Sequence, residues 1–506
     1  MTRWLPVGPR RRRVRGCTRG TRAQADGDPR VAVVGGGLAG MAAACVLAER
    51  GVRVTVLEKE PFLGGRLGAW TERFPDGSPY EMERGFHGFF RQYYNLRNLI
   101  ARVDPELRCL TPLEDYPILG PNGLEQSFRG LPRTPPLNLI AMLRRTELFR
   151  LADLRSVDSG EARQMMSFDP KRTYRDHDGR DARSYLDGLG FPPSARQMFF
   201  DVFSHSFFNP EEGLSAAEML MMFHFYFLGN PEGLVFDVMN EPFRSALWAP
   251  MERYLEQRGA EVRTGATVTH LDRTDGGGWR LAVEGDAAVD TDGVVLAVTV
   301  PALQALTDAS PGLRRDPAFV DAVGRLGVTL PFAVWRLFLD RAAEPQRHAF
   351  VGTTGFGHLD NISLYERFEG ESRRWAEATG GSVVELHAYA WPGRDEEELR
   401  SQLHGALETL YPELAGARIL HQSWLVRQDC PSFEPGSHAE RPSVRTPYGN
   451  VVLAGDFVKL PFPTALMERA ASSGMLAANH LLDRWDVRGE TLYSVPLRGV
   501  MAALAG

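Results

Sequence analysis

The stretch that decides the fold is residues 31–58, VAVVGGGLAGMAAACVLAERGVRVTVLE. It begins with a short β-branched run at 31–34, which is typical of a buried strand in a parallel sheet. After a glycine-rich turn, the alanine-rich segment 41–50 predicts a helix that a glycine ends. Residues 52–57 alternate in polarity as a second strand does, and Glu58 closes it. Together these elements predict a complete βαβ unit.

The glycine spacing in this unit, Gly35-x-Gly37-x-x-Gly40, is typical of a dinucleotide-binding turn. Gly35 allows the tight turn, Gly37 lets backbone amides approach a pyrophosphate, and Gly40 lets the helix pack closely on the strand. The helix N-terminus offers N–H groups and a partial positive charge to phosphates, and Glu58 suits a ribose hydroxyl. A turn without a ligand is the alternative, which the surrounding strands disfavour. The predicted contacts are Gly35, Gly37, Leu38, Ala39, Gly40, Glu58 and Lys59.

Two further motifs favour a flavin dinucleotide over a nicotinamide one. Gly64-Gly65-Arg66 follows the second strand, and an arginine suits a pyrophosphate because its guanidinium can donate two parallel hydrogen bonds. Gly455-Asp456 follows a late strand, where the carboxylate suits a ribityl chain. A helix predicted over 464–484 would point its N-terminus at the flavin. We therefore predict FAD, with further contacts from Gly65, Arg66, Gly455, Asp456 and Met467.

Length and composition exclude several classes of protein. The 506 residues exceed what one hydrophobic core usually serves, and 43% hydrophobic residues exclude a disordered or collagen-like chain. The four cysteines form no CxxC pair, so neither a zinc nor an iron–sulfur site is expected. The net charge is −6 although residues 1–30 are basic, and the acidic remainder argues against nucleic-acid binding. The longest apolar stretch, 219–228, is shorter than the roughly 20 residues that a membrane span needs.

The pattern along the chain predicts an α/β fold, in which a Rossmann-like dinucleotide-binding domain is interrupted by an α+β substrate-binding domain. Strand-rich segments at 261–298 indicate a return to the first domain. The predicted divisions are a disordered basic tail at 1–29, the FAD-binding domain at 30–100, 236–300 and 446–485, the substrate domain at 101–235 and 301–445, and a C-terminal tail at 486–506.

Four segments resemble one family of flavoproteins. Residues 33–70 (VVGGGLAGMAAACVLAERGVRVTVLEKEPFLGGRLGAW) and 451–479 (VVLAGDFVKLPFPTALMERAASSGMLAAN) look like the two ends of flavin-dependent carotene desaturases, in the amine-oxidase-like superfamily. Residues 83–100 (ERGFHGFFRQYYNLRNLI) and 234–268 (LVFDVMNEPFRSALWAPMERYLEQRGAEVRTGATV) are most similar to bacterial carotene β-ring desaturase/methyltransferases, the isorenieratene-synthase group. The resemblance extends from about residue 30 to 485.

The resemblance implies an FAD-dependent oxidoreductase that makes the β-ionone ring of a carotene aromatic, with one methyl group moving within the ring. The flavin would accept a hydride from an allylic carbon, the methyl would shift to the cation, and proton loss would restore a double bond. This shift needs no outside methyl donor, and no second glycine-rich strand–helix unit is found, since Gly276–Gly278 lies in a predicted hairpin. A β-carotene-like hydrocarbon has no polar group, so apolar burial must bind it.

The substrate-binding and adenine-binding positions are predicted partly from residue type and partly from the resemblance. The Met- and Phe-rich segments 198–208 and 219–228 suit an apolar tunnel, although plain core packing is an equal alternative. Val268 occupies a strand position at which related flavoproteins bind adenine through the backbone. His205 and His224 show no ligand spacing, and no metal site is predicted.

Four residues are predicted as catalytic. His87 lies between two glycines, Gly85 and Gly88. It is predicted to be a flavin neighbour or a general base, and a structural histidine is the alternative. Asp237, Glu241 and Arg244 lie just before a helix that leads back to the nucleotide domain, a position that faces the flavin in the desaturases that the chain resembles. Asp237 or Glu241 would take the proton, and helix capping is the alternative for these carboxylates.

Three other functions stay open at this point. A linear-carotene desaturase or isomerase would use the same flavin scaffold, and a flavoprotein that only binds a carotenoid would need no catalytic group. An amine oxidase is disfavoured because Phe457, Pro461 and Phe462 stand where a Cys or a Trp–Tyr pair is usual. Because carotenes dissolve in membranes, the resemblance implies a protein of the bacterial cytoplasm that docks on the inner membrane through an apolar rim and is not secreted. Neither the electron acceptor nor the oligomeric state follows from the sequence.

Overall fold

The computed structural model describes residues 12–14, 20–135, 137–146, 157–193, 196, 207–229 and 232–499. Of the predicted tunnel segment 198–208, only the last two residues fall within these ranges, and His205 lies outside them. Among the described residues, no helix is both long enough and apolar enough to cross a bilayer.

A five-stranded parallel sheet forms the centre of the nucleotide-binding domain, as predicted. The strand Arg30–Val34 lies in its middle with neighbours on both sides, which explains its unbroken apolar run. The fully buried helix Leu38–Ala48 leads to the next strand. The last α-helix, Leu466–Leu482, packs against helix Leu38–Ala48. The strand order is Glu261–Thr264, Arg53–Glu58, Arg30–Val34, Gly293–Leu296 and Val451–Leu453.

An antiparallel meander extends this domain. Its strands are Val268–Arg273, Trp279–Val283 and Val289–Thr291, and the first two are joined by a turn that contains Gly276–Gly278, as the predicted hairpin requires. The helical segment that follows strand Phe236–Met239 begins as a π-helix and continues as an α-helix. The helices of this part are Arg244–Trp248 (π), Ala249–Glu256, Val300–Ala309 and Pro317–Gly324.

A seven-stranded mixed sheet forms the substrate side of the molecule. Two of its inner strands, Phe332–Leu339 and Ser382–Ala388, are buried along their whole length because side chains pack on both faces. The helix Glu396–Leu410 covers one face with leucines at 399, 403 and 407. The strand order is Ile419–Arg427, Phe332–Leu339, Ser382–Ala388, Asn361–Leu364, Phe350–Thr353, Ile118–Leu119 and Glu125–Gln126.

Small sheets and short helices connect the two large sheets. Strand Phe236–Met239 lies between Phe89–Phe90 and Leu110–Pro112, and Ala69–Arg73 pairs with Pro79–Glu83. The other described helices are Tyr94–Ile100, Leu137–Arg145, Ser159–Met166, Pro170–His177, Ala182–Gly188, Ala216–Phe223, His224–Leu228 (π) and Gly370–Thr379. Short 3-10 turns lie at Gly65–Leu67, Pro121–Gly123, Glu211–Gly213, Tyr365–Arg367, Pro412–Leu414 and Asp483–Trp485.

The described residues near the two chain ends pair with each other. Strand Arg12–Val14 pairs with Leu492–Ser494, and the backbone of Thr21 donates to the carbonyl of Asp486 at 3.0 Å. Val487 and Val495 are completely buried. The prediction of a disordered tail is therefore wrong for residues 12–14 and 20–29, because strand pairing and backbone hydrogen bonds between the two ends hold them.

Candidate functional site

One continuous cavity of about 1490 Å³ connects the two large sheets. It begins at the glycine-rich turn of the parallel sheet and ends among aromatic side chains beneath the seven-stranded sheet. Sites for drug-sized ligands usually occupy about 300–1,000 Å³, so this space suits a larger ligand or two ligands together.

The glycine-rich turn opens directly onto this cavity. Gly35 has a φ of 104°, and a Cβ there would stand 2.4 Å from the carbonyl oxygen of Ala297. A Cβ on Gly40 would stand 1.9 Å from the carbonyl oxygen of Gly35, so the helix packs on the strand as closely as predicted. Gly37 differs, because its φ of −76° is open to any residue and a Cβ would meet nothing closer than 3.8 Å. The protein itself leaves room for a side chain there.

The acidic residue of the motif is tied into the same turn. Glu58 is buried at the end of its strand and accepts hydrogen bonds from the backbone amides of Gly36 at 2.6 Å and Glu60 at 2.9 Å. Burial raises the pKa of Glu58. Lys59 borders the cavity with a mostly exposed side chain whose ammonium lies 3.4 Å from Glu60. Glu58 and Lys59 therefore lie beside the glycine-rich turn, where the strand Arg53–Glu58 ends.

The two later motifs meet beside this turn, because the amide of Gly64 donates to the carbonyl oxygen of Gly36 at 2.9 Å. Arg66 and Asp456 form an ion pair with a nitrogen–oxygen distance of 2.5 Å, although 390 residues separate them in the chain. The preceding Gly65 borders the cavity, and so does Gly455, whose amide donates to Ser473 at 2.8 Å. The sequence placed each motif after a strand, and the fold brings them together because both strands end at the same edge of the parallel sheet.

The remaining predicted cofactor contacts also border the cavity. Met467 lies in the first turn of the last helix, whose N-terminal N–H groups have no side-chain cap. Val268 begins the first strand of the meander, and Leu38 and Ala39 begin the first helix. All thirteen predicted cofactor residues except Gly40 thus border one space, and Gly40 acts through packing.

These residues fit a flavin dinucleotide. Open space at Gly37, beside uncapped helix amides, is the cradle that a pyrophosphate needs. Arg66 offers a fixed positive charge beside it, because Asp456 holds the guanidinium and raises its pKa against the effect of burial. The roles of the individual residues stay predictions.

The far part of the cavity is a chamber with aromatic and aliphatic walls. Phe86 stacks on Phe350 with ring centroids 4.4 Å apart, and Phe236 closes the same wall. Of the segment 219–228, residues 219–222 lie in the core, whereas its end belongs to the wall. Both alternatives for that segment are therefore realised. The wall residues include Phe90, Ile118, Phe128, Leu139, Met142, Phe207, Phe208, Phe223, Tyr226, Phe227, Leu234 and Phe332.

Among the predicted catalytic residues, His87 alone lies on the cavity wall. Its Nδ1 is 2.7 Å from the carbonyl oxygen of Gly85, so this nitrogen carries the proton and Nε2 is left as an acceptor. Burial lowers the pKa of His87 to about 4, so the ring is neutral at physiological pH. His224 is remote from this role, since it stacks on Phe168 and bonds the carbonyl oxygen of Pro496 at 2.7 Å.

Asp237, Glu241 and Arg244 do not border the main cavity, so the geometry does not support the prediction that their position faces the flavin. Asp237 points to the other side of its strand and pairs with Arg97 at 2.7 Å. Glu241 lies near the surface and pairs with Arg374 at 3.1 Å. Arg244 is mostly exposed and donates to the hydroxyl of Thr71 at 3.0 Å. For Asp237 the reason is strand alternation, since its neighbour Phe236 borders the cavity, whereas Glu241 and Arg244 follow the end of that strand at Met239.

Sequence reasoning missed a buried polar chain at the chamber wall. Arg336 donates to Glu385 at 2.9 Å, and Glu385 lies 2.7 Å from His387 Nε2. His387 Nδ1 lies 2.6 Å from the hydroxyl of Tyr389, which accepts from Asn361 at 2.9 Å. The signal was available as polar residues at every second position of an otherwise apolar strand, at 385, 387 and 389.

A second buried cluster joins the chamber to the nucleotide side. Glu218, on the helix that leads into the chamber wall, accepts from Arg469 of the last helix and from Tyr174 at 2.6 Å. Arg441 lies 3.3 Å from the same carboxylate, and Arg469 also donates to the carbonyl oxygen of Asp456 at 3.3 Å. Although burial opposes it, the two arginines hold the pKa of Glu218 down to about 2. No group of side chains in the described ranges is arranged to hold a metal ion.

Comparison with known proteins agrees with this geometry. The chain matches the flavin containing amine oxidoreductase family over residues 38–482. It is 48% identical over 485 residues to a carotenoid phi-ring synthase of Streptomyces griseus, which covers 96% of this chain and 93% of that protein. It is 27% identical to a zeta-carotene desaturase of Synechocystis sp., over 90% of this chain and 97% of the other.

A solved structure shares the fold across nearly the whole chain. Cyclohexylamine oxidase from Brevibacterium oxydans IH-35A superposes with a TM-score of 0.62, covering 91% of this chain and 99% of its own, at 14% sequence identity. At that identity, the superposition establishes the common fold alone.

Proposed function

The chain belongs to the flavin-containing amine oxidoreductase family, and we propose that within it this enzyme converts the β-ionone ring of a carotene into an aromatic ring, with one methyl group moving inside the ring. FAD is its cofactor and supplies an acceptor for the two electrons of each dehydrogenation. The 48% identity to a carotenoid phi-ring synthase supports a ring substrate over a linear one, for which the zeta-carotene desaturase stands at 27%.

The observation behind this proposal is the continuity of the cavity. The same space that borders Gly37 and Arg66 extends between Phe86, Phe236 and Phe350 without a partition. The end ring of a carotene could therefore reach the flavin position while its polyene chain lies between apolar side chains. Burial of each apolar side-chain-sized unit contributes about 1.5–3 kcal/mol, so such a chamber needs no polar contact to bind a hydrocarbon.

The residues of the chain contribute binding, orientation and the exclusion of water. The uncapped amides at Leu38 and Ala39 would bind the pyrophosphate, and Glu58 a ribose hydroxyl. Asp456, fixed by Arg66, would orient the ribityl chain. Aromatic walls keep water from the carbocation that forms when hydride leaves the ring, which protects it from addition of water. His87 stays a candidate for contact with the flavin.

We also propose that the enzyme takes its substrate from the inner membrane surface through the helix Leu137–Arg145. Leu137 and Ile140 of this helix are 56% and 42% exposed, whereas Leu139 and Met142 line the chamber. Exposed arginines at 144 and 145 follow in the last turn of the helix. Apolar side chains beside basic ones suit insertion into an anionic lipid surface, and the inner face of the same helix would admit the carotene.

A feeding experiment tests the reaction. A β-carotene-producing bacterial host that expresses the chain should accumulate carotenoids with aromatic end rings, identified by absorption and mass. The Gly37→Asp variant is the control. A Cβ at this position meets nothing closer than 3.8 Å in the protein, but the aspartate would occupy the space that a bound pyrophosphate needs. Unchanged β-carotene in cells that contain the FAD-loaded protein would refute the proposal. Desaturation of linear carotenes by the same cells would favour the linear desaturase instead.

A further inference from the structure

We infer that Tyr389, His387 and Glu385 form a proton relay that removes the ring proton in the proposed reaction. The inference rests on the proposed function and names a catalytic group for it. Making a ring with one double bond aromatic takes two dehydrogenations, and each removes a hydride and a proton. The hydride has an acceptor in FAD, but neither Asp237 nor Glu241, the carboxylates predicted to take the proton, borders the cavity.

The relay occupies a polar strip in the chamber wall. His387, Tyr389 and Asn361 border the cavity, and Phe208 packs against Tyr389 with ring centroids 4.5 Å apart. Positions 385, 387 and 389 face the same side because side chains alternate along a strand. Asn361 pairs in register with His387 on the neighbouring strand and brings its amide to the tyrosine hydroxyl.

The hydrogen bonds of the relay have one consistent direction. Burial opposes ionisation of Glu385, but Arg336 and His387 hold its pKa down to about 2, so the carboxylate is charged. A charged carboxylate 2.7 Å from His387 Nε2 requires a proton on that nitrogen. Nδ1 is then an acceptor for the hydroxyl proton of Tyr389, 2.6 Å away. The hydroxyl oxygen, which also accepts from Asn361, keeps a lone pair for the cavity.

The proton transfer balances in atoms and charge. Once hydride has left the ring and the methyl has shifted, the C–H bond beside the cationic carbon breaks and its electron pair forms the new C=C bond. The released proton bonds to the hydroxyl oxygen of Tyr389 as the tyrosine passes its own proton to His387 Nδ1. The resulting imidazolium is stabilised by the ionised Glu385, as a histidine with a buried carboxylate partner is in other acid–base sites. The proton leaves to solvent after the product departs.

The backbone beside Tyr389 supports a functional role. Ala390 has a φ of 46°, a conformation that a residue with a Cβ rarely adopts. Strained residues of this kind persist where the surrounding structure fixes them, often at active sites. The amide of Tyr389 donates to Asp360 at 2.6 Å, and the amide of Trp391 donates to Pro331 at 2.8 Å, so both sides of the strained residue are fixed.

His87 is a weaker candidate for the same step. His87 Nδ1 donates to the neutral carbonyl oxygen of Gly85, and among the described residues no hydrogen bond joins His87 to a carboxylate. Burial also lowers its pKa to about 4. The titratable and charged groups that face the relay from the packed elements are Glu83, Arg84, His87, Arg336, Asp360, Tyr365, Asp429 and Cys430.

Single substitutions test the relay in the purified holoenzyme, with β-carotene in phosphatidylcholine vesicles and a soluble quinone as the electron acceptor. Tyr389→Phe and His387→Gln should each lower kcat about 100-fold, the lower range for loss of a general base. FAD content and carotene binding, measured by quenching of tryptophan fluorescence, should stay within twofold. Tyr185→Phe is the matched control, because it removes another buried hydroxyl, which donates to the carbonyl of Glu161 outside the cavity.

Two further measurements separate a relay from a structural role. The wild-type kcat should be lower in D2O than in H2O, because the exchangeable hydroxyl proton of Tyr389 moves in this step, and the difference should disappear in Tyr389→Phe. The double variant should be no slower than the slower single variant, because the two residues act as one unit. Wild-type kcat in Tyr389→Phe, or a loss of carotene binding equal to the loss of rate, would overturn the relay. A wild-type enzyme that leaves β-carotene unchanged would instead refute the proposed function.

Discussion

The two ends of the cavity are built from different materials. At the nucleotide end, consecutive residues of one turn, Gly35 to Gly40, present backbone amides at the start of a helix. At the chamber end, side chains from distant parts of the chain, such as Phe86, Phe236 and Phe350, meet in one wall. A site made of backbone tolerates almost no change in its few positions, whereas a wall of apolar side chains tolerates exchange of volume. The difference predicts that substitutions in the turn prevent folding or FAD binding, whereas substitutions in the chamber wall change these properties less.

The largest effect is expected from Gly40→Ala. Its Cβ would stand 1.9 Å from the carbonyl oxygen of Gly35, and a backbone atom of the central turn cannot move aside as a side chain can. The cost should exceed the 1–3 kcal/mol typical of overpacking, and little folded protein should be recovered, as measured by circular dichroism and size-exclusion chromatography.

The matched variant at the same turn is Gly37→Ala. A Cβ there meets nothing closer than 3.8 Å, so the apoprotein should fold with the wild-type melting temperature. FAD affinity should fall at least tenfold, because the methyl group would stand where the pyrophosphate approaches. Equal yields of both folded variants would show that the close contact at Gly40 is not needed, and undiminished FAD binding by Gly37→Ala would remove the pyrophosphate from this turn.

The same contrast explains what the sequence could reveal. The βαβ unit, the strand Phe332–Leu339 and the predicted cofactor residues follow local patterns, so the fold and the nucleotide end were predictable. Asp237 was misplaced because its neighbour Phe236 faces the cavity, and the choice between alternate faces depends on pairing with Phe89–Phe90 and Leu110–Pro112. The polar chain at 385, 387 and 389 was missed because its partners, Arg336 and Asn361, come from other strands.

An intermediate effect is expected at the joint between the two ends. Glu218→Gln leaves Arg441 and Arg469 buried without a negative partner, which should cost about 3–5 kcal/mol in the free energy of unfolding. Because the folded-state pKa of Glu218 is lowered to about 2, its contribution is present above the unfolded pKa and is lost as pH falls from about 4.5 towards 2. The variant should therefore lose much of the acid dependence of wild-type stability.

The control for this joint is Glu212→Gln. Glu212 pairs with Arg183 at 2.5 Å, but both side chains are more than half exposed, so the change should cost less than about 1 kcal/mol. Urea unfolding from pH 7 down to pH 3 measures both variants. Equal destabilisation of the two would contradict a special role for the buried cluster, and separate transitions in Glu218→Gln would show that the two ends then unfold independently.

The smallest effect concerns the outer surface of the chamber. Replacing Leu137 and Ile140 together by Asp places two negative charges where the proposed contact with anionic lipid would form. Binding to phosphatidylglycerol vesicles should weaken about tenfold, which corresponds to roughly 1.4 kcal/mol. Since both side chains point to solvent, the melting temperature and the FAD content should stay at wild-type values. Leu497→Asp, at another exposed apolar residue outside this helix, should leave vesicle binding unchanged. Co-sedimentation with vesicles measures the binding of all three proteins. Equal binding by the double variant and the wild type would show that this helix is not the membrane contact, and the carotene would then have to enter the chamber through another opening.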